Sequence, residues 1–161
     1  MFTQMEKPKN RIEAYDLMIA QAQALLEGES DLIANCANLA SLAKLYLDNI
    51  NWIGFYINKD NTLVLGPFQG LPACVRIPFG KGVCGKAAAT QTIQCIDNVH
   101  LFEGHIACDS ASNSELVVPI IKNGLVIGVL DIDSPVFNRF DTTDITYMKK
   151  LVEVLETSID N

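Results

Sequence analysis

The apolar positions follow a helical period at both ends of the chain and an alternating one between them. From 10 to 28, Ile12, Tyr15, Leu17, Met18, Ala22 and Leu25 recur at the spacing of one helix face. "GES" at 28–30 breaks that period, and Ser30 followed by Asp31 supplies an N-cap and acidic first turn for a second helix running to about Leu47. Cys36 falls on the apolar face of this second helix with Ile33, Ala37 and Ala40, a packing position rather than a chemical one.

From residue 52 the period shortens to two. "WIGFYI" puts Trp52, Gly54 and Tyr56 on one face of a strand and Ile53, Phe55 and Ile57 on the other. "NKDN" at 58–61 is a turn, and "TLVLGPF" returns as the hairpin's second strand. "ACVRIPF" is a further strand, "GKGVCGKAAAT" a glycine-rich turn leading into a short helix at about 83–90, and "TIQCID" a short strand carrying Cys95. Residues 97–114 form a long polar connection, which inside a compact domain is usually functional. "ELVVPIIKNGLVIGVLDID" is a hairpin turning at Lys122-Asn123-Gly124, and a last helix spans about Thr142 to Ile159. Helices at both ends of a run of strands predict an α+β fold: one domain over 1–161, a central, mostly antiparallel sheet, and terminal helices packed on one face.

Composition and charge remove several function classes. The chain has 161 residues and a net charge of -7, which argues against a surface that tracks nucleic-acid phosphates. No apolar run approaches the roughly 18 to 20 residues that span a bilayer, so a cytoplasmic protein without a membrane partner is expected. Structural disulfides are rare in that compartment, so Cys36, Cys74, Cys84, Cys95 and Cys108 suggest metal ligation, redox chemistry or packing. A zinc set could draw on Cys74, Cys84, Cys95 and Cys108 with His100 and His105, but no pair has the short C-x2-C spacing. No metal or other cofactor is therefore expected.

A redox reading uses the thiols differently. Cys108 sits beside Asp109 in the small polar run "GHIACDSASNSE" (104–115), an odd place for a residue that normally seeks the core. Cys84 lies between glycines in "KGVCGK", with Lys81 and Lys86 nearby and a helix N-terminus to favour thiolate. One thiol can attack a substrate and be oxidised while a second, on mobile backbone, resolves it as a disulfide. Cys108 suits the first role and Cys84 the second. On the last strand, the face of Leu125, Ile127 and Val129 continues into Asp131 and Asp133, where desolvation and mutual repulsion raise at least one pKa. Trp52 and Tyr56, with Gly54 between them, make an apolar wall that could hold a methyl or a cationic head.

Taken together, "NWIGFY" (51–56), "LVLGPFQG" (63–70), "ACVRIPFGKGVCG" (73–85), "HIACDSASNSELVVPI" (105–120) and "GVLDIDSPVFNRFD" (128–141) resemble the free methionine-(R)-sulfoxide reductases, enzymes built on a GAF domain. The resemblance implies a GAF-like fold and reduction of free L-methionine (R)-sulfoxide to methionine. It makes Cys108 the nucleophile, and Cys84 and Cys74 the recycling thiols whose disulfide is reduced by thioredoxin; the resemblance leaves open which of the two resolves first, and Cys84 is the one expected to do so. It assigns Trp52 and Tyr56 to cradling the sulfoxide methyl. Glu115, Asp131 and Asp133 become the acidic cluster that pairs with the substrate's ammonium and delivers a proton, and a homodimer is implied. The chemistry is consistent with those roles, because a sulfoxide oxygen leaves poorly unless protonated and clustered carboxylates can retain a proton near neutral pH. The competing reading is a non-catalytic GAF module that binds a small ligand. Cys36 and Cys95 receive no role.

Overall fold

The structure, a computed structural model, describes residues 6–106 and 109–159. Asn10 starts α1 (Arg11–Leu26) by accepting hydrogen bonds from the Ile12 and Glu13 N–H groups. Its packed stripe is Ala14, Tyr15, Met18, Ala22 and Leu26; Ile12, expected in that stripe, lies in the first turn and is exposed. Asp31 caps α2 (Leu32–Tyr46) through the Ala34 N–H, and Cys36, Leu39, Ala40 and Ala43 form its buried face. Ile33, expected beside Cys36, faces outward instead.

Six strands follow: β1 (Trp52–Lys59), β2 (Thr62–Gln69), β3 (Arg76–Pro78), β4 (Gln94–Ile96), β5 (Ser114–Lys122) and β6 (Leu125–Ser134). They form one sheet in the order β3-β2-β1-β6-β5-β4, and every neighbouring pair is antiparallel. The helix α3 (Gly82–Thr90) interrupts the strands, and α4 (Thr142–Ser158) starts from a capping box of Asp141 and Asp144.

The sheet separates two cores. On one face α1, α2 and α4 pack against Ile53, Phe55, Leu116, Val118, Leu130 and Ile132. On the other, α3 packs against Trp52, Tyr56, Val117 and Val129, as the period-two pattern of β1 requires. The terminal helices therefore share one face, leaving the opposite face to α3 and the loops.

The expected apolar stripe Leu125–Ile127–Val129 is broken. Ile120 pairs with Gly128 but Ile121 with Val126, so Ile127 is an extra, bulged residue. Val126 joins Val129 on the α3 side, Ile127 turns to the helical core, and Leu125 is exposed. Beyond the bulge the alternation is regular, and it carries Asp131 and Asp133 onto the face of Val129. The 97–114 connection is not featureless either. It holds a one-turn 3₁₀ helix (Val99–Leu101) whose Val99 N–H donates to the Asn113 carbonyl, while the Asn113 side chain donates to the Pro135 carbonyl. Among the described residues, no helix is long and apolar enough to cross a membrane.

Candidate active site

Strand pairing assembles the acids. Glu115 on β5 lies opposite Asp133 on β6, and Asp131 lies opposite Val117 on one side and Gly54 of β1 on the other. All three carboxyl groups thus sit at one end of the sheet, on the face covered by α3. Cys84, in the first turn of α3, points into the same place and its Sγ–H donates to Glu115 Oε1 at 3.8 Å. Ligand atoms of Cys84, Glu115 and Asp131 all lie within 4.8 Å of one another. They line a cavity of about 30 Å³, together with His105, Ile106, Asp109, Ser112 and Asp133. That is room for about one water between the side chains.

Burial dominates the electrostatics of this cavity. It pushes Asp131 up to about 6, against the pull of the neighbouring Cys84 and Glu115 and of the Ile132 N–H. Burial first, and then the charges of Asp131 and Asp133, hold Glu115 well above the usual carboxylate range. Asp133 is raised in the same way, by burial and then by Asp131, with Ser112 opposing. Three like groups this close together and this poorly solvated resist joint ionisation, so at least one proton remains among them near neutral pH. Asp131 Oδ1 is buried without a hydrogen-bond partner, as is His105 Nδ1, which lies 4.0 Å from Glu115 Oε2. Desolvation lowers the His105 pKa, so the ring faces the acids uncharged near neutral pH.

The aromatic pair is placed differently from the expected ligand wall. Trp52 and Tyr56 are buried, with ring centroids 6.0 Å apart, and Trp52 also stacks on Phe68. The gap over Gly54 is filled by the indole itself, since a Cβ there would come within 2.6 Å of Trp52 Cη2. Their polar tips hold the segment that carries Cys74: Trp52 Nε1–H donates to the Leu71 carbonyl at 3.1 Å and Tyr56 O–H to the Cys74 carbonyl at 2.9 Å.

The thiols also depart from expectation. Cys84 is not on a mobile glycine turn; it is buried in α3, and burial followed by the charges of Asp131 and Glu115 holds its pKa well above the ordinary value. The Cys84–Cys74 disulfide implied by the resemblance is not formed. Cys84 is a free thiol, as are Cys36 and Cys95, whereas half-buried Cys74 is disulfide-bonded. The flanking lysines were expected to favour thiolate at Cys84, but burial and two acids outweigh them. Cys108 lies outside the described residues. Ile106 and Asp109, the described residues nearest to it on either side, both line the cavity. Cys36 is wholly buried in the helical core, Cys95 packs against that core with its Sγ–H meeting the Phe140 carbonyl at 3.7 Å, and neither lines the acidic cavity.

Asn51 and Ser112 were not singled out by the sequence, where His105 figured only in the zinc alternative and Asp109 only as the neighbour of Cys108. Asn51 Nδ2 donates to Asp109 Oδ2 at 2.9 Å and to Ser112 Oγ at 3.1 Å, tying the loop to the start of β1. Its place at the head of "NWIGFY", one residue before a strand, was the available signal.

Three comparisons bear on this geometry. Residues 22–160 match the family model described as a GAF domain. The chain is 52% identical to the free methionine-R-sulfoxide reductase of Escherichia coli, over 91% of this chain and 89% of that protein. Among solved structures, fRMsr of Staphylococcus aureus in complex with substrate superposes with a TM-score of 0.88 at 47% identity, covering 98% of this chain and 100% of that one. The free methionine-R-sulfoxide reductase of Neisseria meningitidis in complex with its substrate gives 0.93 at 39% identity, covering 98% and 95%.

Proposed function

The chain belongs to the GAF-domain family and, within it, to the free methionine-(R)-sulfoxide reductases, and from that premise we propose that it reduces free L-methionine (R)-sulfoxide with cysteine thiols as the electron source. The observation that carries the reading is the cluster of buried Glu115 and Asp131 with half-buried Asp133, facing a cavity that Ile106 and Asp109 also line. Those carboxyl groups supply what the reaction needs in one place. An ionised member pairs with the substrate's ammonium, which a peptide-bound methionine lacks. A protonated member donates to the sulfoxide oxygen as the sulfur is attacked.

In the proposed sequence the Cys108 thiolate attacks the sulfoxide sulfur, the oxygen takes a proton from the cluster, and methionine departs to leave Cys108 as a sulfenic acid. A second thiol then displaces the sulfenic oxygen as water and forms a disulfide. Cys74 is the resolving thiol in this scheme, in place of Cys84: it is the residue already disulfide-bonded, while Cys84 remains a buried, free thiol. Thioredoxin reduces that disulfide by dithiol exchange, passing two electrons and two protons to restore both thiols. Trp52 and Tyr56 act as positioning residues that hold the Cys74 segment, and Trp52 meets the substrate methyl once the pocket widens. A methionine sulfoxide cannot enter the cavity as it stands, so binding requires that opening. The protein acts in the cytoplasm as a homodimer in this account.

The test is a single-turnover reaction of the reduced protein with racemic free methionine sulfoxide, followed by thiol titration and chiral analysis. Loss of two thiols per methionine formed, with only the R epimer consumed, is expected. Cys108→Ser should abolish that turnover, Cys74→Ser should permit one turnover without recycling, and Cys84→Ser should retain recycling by thioredoxin. Unchanged thiols and no methionine would instead favour a ligand-binding GAF module.

A further inference from the structure

We infer that Cys84, Glu115 and Asp131 form a site for a zinc-class divalent cation, with His105 as fourth donor, and that this cation excludes substrate from the acidic pocket. The sulfur and the two carboxylates already lie within 4.8 Å of one another, and Cys84 Sγ to Glu115 Oε1 is 3.8 Å. Tetrahedral zinc with bonds of about 2.3 Å to sulfur and about 2.1 Å to oxygen separates those two atoms by about 3.6 Å, so little movement is needed. Asp131 Oδ1, on a side chain nine-tenths buried, has no partner and faces the cavity. His105 Nδ1 is also unpartnered, 4.0 Å from Glu115 Oε2, on a segment that follows Gly104 at positive φ.

The donor set selects the cation. One sulfur, two carboxylates and one imidazole suit zinc and its spectroscopic substitute cobalt, whereas magnesium demands about six oxygens and keeps its waters. An ammonium group can use the carboxylates but gains nothing from Cys84, so dependence on that sulfur separates a metal site from the substrate subsite. On binding, the metal–sulfur bond replaces the S–H bond, and the thiol proton is released to solvent together with any proton held on the two acids. Metal binding stands independently of the proposed reaction; the competition with substrate rests on that reading.

The experiment titrates the reduced, chelator-treated protein with cobalt(II) and reads sulfur-to-metal charge transfer and the visible bands of a tetrahedral site. One cobalt per chain is expected, displaced by zinc and not by excess magnesium. The charge-transfer band should vanish in Cys84→Ser and persist in Cys108→Ser and Cys74→Ser. Asp131→Asn and Glu115→Gln, which keep the sulfur, should weaken binding at least about tenfold, since even outer-shell changes commonly cost that much. In Cys108→Ser, which binds substrate without turning it over, free methionine (R)-sulfoxide should displace the cobalt. No band, a band retained in Cys84→Ser, or a band lost in Cys108→Ser instead would overturn the site. A protein that shows the Cys84-dependent band yet reduces no sulfoxide would uphold the site while removing the reductase reading.

Discussion

Asp131→Asn should make the protein more stable at neutral pH and less active. Burial raises the Asp131 pKa from 3.8 to about 6, so the folded state holds this proton more tightly than the unfolded chain. The sign follows from linkage: below the unfolded pKa the group is protonated in both states and costs nothing, and stability is lost as pH rises from about 4 to about 6. Two pKa units and a little more correspond to ~3 kcal/mol at pH 7.5, and removing this charge also relieves Glu115 and Asp133, whose raised pKa values it helps to cause, which adds to the variant's gain. The amide is close in shape to the carboxylic acid and carries no charge. Urea denaturation of wild type and variant under reducing conditions, at about pH 4 and about pH 7.5, measures the difference. The account expects a gap of a few kcal/mol in favour of the variant at the higher pH, shrinking to within about 1 kcal/mol at the lower. A variant equally stable or less stable at both pH values would refute the claim that this carboxylate is ionised at a cost, and with it the idea that the cluster is held under strain for chemistry.

Tyr56→Phe removes the 2.9 Å bond to the Cys74 carbonyl; it should leave the first turnover intact and slow recycling by thioredoxin, for about 1 kcal/mol of lost stability measured by denaturation. Gly54→Ala drives a Cβ to 2.3 Å from Phe68 Cβ and 2.6 Å from Trp52 Cη2, so it should destabilise by about 2 kcal/mol or more and disturb the near-UV signal of Trp52. Asn51→Ala frees Asp109 and Ser112 and should raise KM more than it lowers kcat, with rescue by Asn51→Gln limited by its longer reach.

Local pattern exposed most of the architecture, because successive β1 residues alternate between the two cores and each terminal helix carries its own stripe. It failed where pairing rather than periodicity decides. The bulge at Ile127 cannot be seen in one strand, since it is defined by what Ile120 and Ile121 meet across the sheet. The acids were legible for a related reason: alternation beyond the bulge puts Asp131 and Asp133 on one face, and the motif containing Glu115 added the third. Cys84 was misplaced because neighbouring glycines suggest freedom that helix α3 does not have, and because lysines close in sequence were weighted above acids close in space. The same limit applies to Trp52 and Tyr56. Their shared face is visible in sequence, but their bonds to a segment some twenty residues away are not.

The most direct test of the central claim is a carboxyl-carbon NMR titration of the reduced protein, with Glu115, Asp131 and Asp133 assigned by single substitutions to the corresponding amides. The account predicts that at least one of the three stays protonated near neutral pH and that all three midpoints lie above the usual carboxylate range. Three midpoints near about 4, with every carboxyl ionised at neutral pH, would contradict it, because the sulfoxide oxygen would then have no proton donor among them.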